Sequence, residues 1–222
     1  AFMSSFAAPR VVPRVLRLRL RAFLSALVCL CVLGLIGWHG RVLAQNQSFI
    51  KIGEINSYAL KPQYSQHYRN GWLLAVEEAN AKGGLLGRKI EVISREDEGL
   101  PEEALRQAAA LVRADKVDLL SGGFQPGVAR ALADFAKRNK VIYVASAGPA
   151  WDRDNRYAFR PPVRHVKDPA VQGFAQAYQR RYGEPPCQGA WAAYSTMRAI
   201  FEAIARAGTT KPEKLAEALR AE

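Results

Sequence analysis

Between Phe49 and Asp97 the hydrophobic and polar positions follow first one period and then another. Phe49–Ile55 is a short run rich in β-branched apolar residues, which predicts a buried strand. Trp72, Leu73, Ala75 and Val76 then recur at helical spacing, between polar stretches Gln66–Asn70 and Glu77–Asn80. Gly83-Gly84 ends that helix, because glycine tolerates the left-handed conformation of a helix C-terminus. Lys89–Ser94 alternates polar and apolar and predicts a second strand. Strand, helix and strand in this order predict one right-handed βαβ unit of a parallel sheet.

The alternation continues. Pro101, Glu102 and Glu103 open a helix, proline suiting the first turn and the acids its positive end. Leu105, Ala108, Ala109 and Val112 form its apolar face. Val117–Leu120 reads as a third strand, Ser121–Gly127 as a loop, and Val128, Leu132 and Phe135 as the face of the next helix. Val141–Val144 is a fourth strand, followed by the loop Ala145–Pro149. Such a succession predicts an α/β fold, a doubly wound parallel sheet with helices on both faces. Ligands of such sheets sit beyond the carboxyl ends of the strands, here Asn56–Tyr64, Asp97–Leu100, Gly122–Gly127 and Ala145–Pro149.

After Arg160 the pattern changes. Trp151–Arg160 reads as an irregular turn and a short extended segment, and Pro161-Pro162 breaks regular structure. Helices follow without intervening strands: one from Asp168-Pro169 to Tyr182, one over Ala190–Ala207, and one from about Pro212 with Leu215 and Leu219 inward.

Composition adds little to the fold and more to the destination. In 222 residues, 49% hydrophobic and 23% charged, there is enough apolar surface for one good core or two small domains. Six arginines and no acids precede Gln45, so the remainder carries only +6 of the +12 net charge. That mild excess, without an arginine-rich helix or aromatic stacking array, argues against nucleic acid as a partner. The basic segment Arg10–Arg21, the uncharged apolar run Ala22–Gly37 and the small or aliphatic residues Val42-Leu43-Ala44 have the anatomy of a secretory signal peptide cleaved before Gln45. An uncleaved membrane anchor is the alternative, since the run approaches the length of a spanning helix. Cys29 and Cys31 lie inside that run, and Cys187 alone follows it, so no intrachain disulfide is expected beyond it.

Catalytic chemistry is not apparent. Gly83–Gly87 lies after a helix and before a strand, the reverse of a dinucleotide fingerprint, and reads as a turn. His39, His67 and His165 have no metal-ligand spacing, and Ser121 and Ser146 no histidine placed to activate them. Glu77-Glu78 and Glu96-Asp97-Glu98 read as solvated helix face and turn. No cofactor or metal is expected, and a binding protein is favoured over an enzyme.

Several stretches carry a resemblance: IKIGEINSY, NAKGGLLGRKIEVISRED, ALVRADKVDLLSGGFQPGV, VIYVASAGP and the tail AVQGFAQAYQRRYGEPPCQGAWAAYSTMRAIFEAIARAG. In this order they resemble the periplasmic solute-binding proteins of ABC transporters, of the leucine/isoleucine/valine-binding type with the type I periplasmic fold. The resemblance covers Phe49 to about Arg160 and about Asp168 to Glu222. It implies an extracytoplasmic protein that captures an amino acid or related small carboxylate or amide and delivers it to a membrane permease. It also implies a departure. The family has two α/β lobes, and the section that builds its second lobe is missing between Arg160 and Asp168. The expected organisation is therefore a signal peptide over 1–44 and a single lobe over 45–222. The lobe has its sheet core in 45–160, a junction in 161–167 and helices packing back in 168–222. A membrane-anchored sensor or interaction domain, and a non-functional fragment, are the alternatives.

By the same resemblance, the ligand's polar head would sit on the loops after the first-lobe strands. The matching residues are Phe124, Gln125 and Gly127 in one loop and Ser146 and Gly148 in the other, with Tyr64 as a pocket wall. The first loop lacks the serine or threonine expected for an α-amino acid, which leaves amides, small carboxylates and aromatic acids open. The plainer reading of Tyr64 and Phe124 is ordinary loop packing. An exposed inter-lobe face would favour self-association.

Overall fold

A computed structural model of the chain describes residues 49–146, 154–161 and 169–221. The proposed signal peptide, Gly148 and most of the junction lie outside the described residues. Five strands form one parallel sheet in the order β2-β1-β3-β4-β5. They are β1 (Ile50–Asn56), β2 (Ile90–Glu96), β3 (Leu119–Gly122), β4 (Ile142–Ala145) and β5 (Ala158–Phe159). The helices are α1 (Pro62–Ala81), α2 (Pro101–Arg113), α3 (Pro126–Asn139), α4 (Pro169–Tyr182), α5 (Gln188–Ala207) and α6 (Pro212–Arg220). Prolines begin five of the six, where the missing N–H costs nothing and the fixed φ suits the first turn.

The doubly wound sheet expected from the alternation is present, with boundaries moved by a residue or two. The third strand runs over Leu119–Gly122 rather than Val117–Leu120, because Asp118 N–H still bonds Lys51 O at the entrance to the ladder. The extended segment before Arg160 is a fifth strand, paired with β4 through Tyr143↔Ala158 and Val144↔Phe159. Its two residues are too few to show a period in the sequence. The first helix begins nearly three turns before its apolar run, so Tyr64, expected in a loop, stands on that helix. Of its expected inner face, Trp72 and Ala75 are buried and Leu73 and Val76 only partly so, while Ser65, Tyr68 and Asn70 are buried as well.

Successive helices cover opposite faces. From β1 the chain moves through α1 to β2 at one edge, then returns through α2 to β3 on the other side of β1. Reversing direction with one crossover hand places α1 and α2 on opposite faces. Accordingly α2 and α3 pack on Ile55, Leu120 and Tyr143, with Ala104, Ala108, Leu111, Leu132 and Ala136 all buried. α1, α5 and α6 pack on Ile50, Ile52, Leu119 and Ile142. Leu111 is fully buried, which contributes about 2 kcal/mol in removed apolar surface. α5 also lies directly against α1: a Cβ on Gly71 would stand 2.1 Å from the carbonyl oxygen of Ala190. α4 closes over this pair through Phe174 and Tyr178, which meet Leu74, Ala190 and Trp191.

Candidate functional site

Strand order reverses at β1. The chain leaves it towards β2 on one side, and β3 lies on the other, so the loops leaving β1 and β3 diverge and open a crevice at their carboxyl ends. The loop after β1 runs into the first turn of α1, which carries Tyr64. The loop after β3 is Gly123-Phe124-Gln125, ahead of α3. The two walls meet there, with the rings of Tyr64 and Phe124 5.3 Å apart at 47°. Tyr64 is 37% exposed and rests on Gly189, where a Cβ would come within 2.5 Å of its ring. Partial burial, with Cys187 nearby as a smaller influence, raises its phenol above the ordinary tyrosine range.

Backbone conformation sets the β3 loop. Gly122 and Gly123 have φ of 113° and 80°, in the region that disfavours side chains. A Cβ on Gly122 would also lie 2.0 Å from Ile55 O. The chain therefore turns sharply and presents Phe124 and Gln125 at the crevice. Gln125 occupies the N-cap of α3, and its side chain makes no capping bond to the first-turn N–H groups of the helix. Gln125 Cγ and Leu60 both approach Gly99, at 3.8 and 2.6 Å from where its Cβ would be. Gly127, one residue into α3, is exposed and would meet only Pro101 if substituted by alanine.

Ser146 leaves β4 a short way off. Its N–H donates to Gly122 O at 3.3 Å, and its hydroxyl bonds the Tyr68 hydroxyl at 2.8 Å. Of the residues expected from the sequence, Tyr64, Phe124 and Gln125 thus line one crevice and Gly127 its helical rim. Ser146 reaches the β3 loop through Gly122. Gly148 lies outside the described residues.

Sequence reasoning missed a buried polar network beneath this crevice. Glu54, on the central strand, is fully buried. Its Oε2 accepts from the Tyr58 hydroxyl, in a short bond, and from Ser94 Oγ at 3.0 Å. Trp72 Nε1 donates to the Tyr58 oxygen at 3.1 Å, and the Arg69 guanidinium lies 4.5 Å over the Tyr58 ring. Burial pushes the Glu54 carboxyl up to about 7, against the smaller opposing pull of these hydrogen bonds. The signal was available: a lone acid between Gly53 and Ile55 in the strand IKIGEIN.

The acidic turn Glu96-Asp97-Glu98 needs a correction. It was expected to be solvated, yet Asp97 is fully buried. Its Oδ1 accepts from Ser57 Oγ at 2.6 Å and from Gly99 N–H at 2.8 Å, while Glu96 Oε2 accepts from Ala59 N–H at 3.0 Å. These acids clamp the loop after β1, a role only the pairing of β1 with β2 creates. Desolvation raises the Asp97 carboxyl above its ordinary range. Among the described residues no group of acids, histidines or cysteines could hold a metal ion, and no helix is long and apolar enough to cross a membrane.

Comparison with known proteins fits this geometry. The family model for periplasmic binding proteins matches twice, over residues 57–165 and 157–221. The Leu/Ile/Val-binding protein BraC3 of Rhizobium johnstonii is 33% identical over 93 residues, 42% of this chain and 25% of that protein. The Leu/Ile/Val-binding protein homolog 2 of Brucella abortus is 30% identical over 149 residues, 66% of this chain and 38% of that protein. The chain therefore spans between a quarter and two-fifths of the length of these relatives. Among solved structures, the branched-chain amino acid transporter substrate-binding protein LivJ of Streptococcus pneumoniae, in complex with isoleucine, shares the fold. It superposes with a TM-score of 0.64 at 15% identity, covering 78% of this chain and 88% of that one.

Proposed function

The chain belongs to the periplasmic binding protein family, and from that premise we propose that it captures a small solute outside the cytoplasm for an ABC importer. The solute is an amino acid or a related small carboxylate or amide. The observation that carries this is the meeting of Tyr64 and Phe124, 5.3 Å apart, at the crevice where strand order reverses. Two aromatic walls, the Gln125 amide and the first-turn N–H groups of α3 suit a ligand with an anionic or amide head and an apolar body. The relatives are Leu/Ile/Val-binding proteins by name, which points the same way. No hydroxyl side chain stands in the Gly123–Gly127 loop, so the ammonium of an α-amino acid lacks one usual partner there. Binding rather than catalysis is further supported by the hydroxyls: Ser57 bonds Asp97, and Ser146 bonds Tyr68.

The proposal extends to organisation. Residues 45–222 form one lobe behind a signal peptide of residues 1–44, and the junction at 161–167 stands where relatives build a second lobe. Support comes from the two separate matches to the family model and from the single sheet of the described residues. One lobe offers a shelf rather than a closed cleft, so about half of the usual apolar burial is lost. A loss of about 4 kcal/mol weakens binding roughly a thousandfold, from micromolar to millimolar. Leu60, Tyr64 and Leu100, each more than a third exposed, surround the shelf and favour self-association through it.

Calorimetry against a panel of amino acids, small carboxylates and amides tests the reading. Weak binding of one class, reduced by Gln125→Ala and Ser146→Ala, is the expected result. Unchanged affinity in both variants would overturn the site, and sub-micromolar binding by a monomer would overturn the one-lobed shelf. Sequencing the gene across Pro161-Pro162 checks the junction itself.

A further inference from the structure

Three side chains stand abreast on the α1 face of the sheet. Glu54 of β1 pairs in register with Ser94 of β2 on one side and with Ser121 of β3 on the other. Ser94 bonds Glu54 Oε2, but Glu54 Oε1 and Ser121 Oγ, both fully buried, have no hydrogen-bond partner among the described residues. Two unpartnered oxygens on adjacent paired residues are costly, since each has lost its water. A proton on Glu54 removes the charge from the unpartnered oxygen, and the neutral carboxyl still accepts from Tyr58 and Ser94 through Oε2. Ionisation leaves a charge on a fully buried side chain with one oxygen unpartnered.

We propose that Glu54 is a positioning residue whose proton anchors the loop after β1, and so fixes one wall of the crevice. Neutral Glu54 holds Tyr58 down, and Tyr58 with Trp72 holds residues 57–61 in place. Ionised Glu54 can reach solvation only by lifting Tyr58, which loosens that loop. The charged and titratable groups facing it are Tyr58 from the loop, Arg69 and Tyr68 from α1, Asp97 from the end of β2 and Tyr143 from β4. Burial, the largest influence, and Asp97 oppose the ionised form, whereas the Tyr58 and Ser94 hydrogen bonds and the exposed Arg69 favour it. The role assigned to this wall rests on the solute-binding reading, but the anchor itself does not.

The test uses the whole purified chain without ligand. Carbon NMR of the Glu54 side chain gives its titration midpoint, and hydrogen exchange of a peptide covering 57–65, corrected for intrinsic rates, gives the loop's opening from pH 5.5 to 8.5. The expected result is a midpoint near neutrality, and protection that falls at least tenfold across the series. In Glu54→Gln, whose amide mimics the neutral acid, protection stays constant. A midpoint in the ordinary carboxylate range, or the same fall in Glu54→Gln, would overturn the anchor. Should the variant not fold, the midpoint and exchange of the unaltered chain decide. Because no ligand enters, failure of the solute-binding reading leaves this result intact, and failure here leaves that reading intact.

Discussion

The two faces of the central strands are packed by different rules. On the α2/α3 side, Ile55, Leu120 and Tyr143 meet a carpet of alanine, leucine and valine. The polar atoms in that layer are paired: the Tyr143 hydroxyl donates to Gly122 O at 3.0 Å, and Asn155 Nδ2 donates to Ala133 O at 2.8 Å. Gly53 lets α2 approach so closely that a Cβ there would stand 2.9 Å from Leu111 Cδ1. On the α1/α5 side the amino half of the sheet is equally apolar, but the carboxyl half carries Glu54, Ser94, Ser121 and, above them, Tyr58, Tyr68 and Ser146. The first face holds the fold together. The second gives up packing beneath the crevice for groups that hydrogen bond, titrate and orient the loops.

That contrast can be broken or sharpened by experiment. Leu111→Ala, in the apolar face, should destabilise the chain by about 3.5 kcal/mol through lost burial and a residual cavity, measured by denaturant unfolding. A cost below 1 kcal/mol would mean that face is loosely packed. The next largest effect is pH-dependent. Glu54 binds its proton more tightly folded than unfolded, so the folded state holds more protons between about pH 4.5 and 7 and loses stability as pH rises through that window. Relative to Glu54→Gln, the unaltered chain should lose about 3 kcal/mol between pH 4 and pH 8, reckoned at 1.4 kcal/mol per unit. Parallel curves for the two proteins would show that Glu54 is not buried as a neutral acid. Ser121→Ala should change stability by no more than about 1 kcal/mol at pH 6, since the buried hydroxyl it removes has no hydrogen-bond partner among the described residues. A loss as large as that of Leu111→Ala would erase the distinction between the faces. Smallest is Tyr64→Ala, expected to change stability by less than about 1 kcal/mol because the ring is partly exposed. The same variant should weaken binding of any solute found by calorimetry about tenfold, and a large stability loss instead would make Tyr64 a packing residue.

The sequence by itself determined the layered α/β architecture. Strand runs such as Ile142–Val144, helix-opening prolines and helix-ending glycines are local signals, and local conformational preference is what they report. The resemblance carried by ordered motifs placed Tyr64, Phe124, Gln125 and Ser146 near strand ends, and the structure brings Tyr64 and Phe124 into contact. What only the tertiary structure decided is which polar residues are inside. Asp97 reads as a solvated turn, and Glu54 as an interruption in a strand, until β1, β2 and β3 pair and α1 covers them. Asn70 and Tyr68 likewise look like the polar flank of a helix until α4 and α5 close over it. Burial is a property of what lies opposite a side chain. Tyr58 is near Glu54 in the chain, but Ser94 opposite Glu54, Ser57 opposite Asp97 and Tyr178 opposite Asn70 stand 40, 40 and 108 positions away, so no short window of sequence contains the cause of their burial.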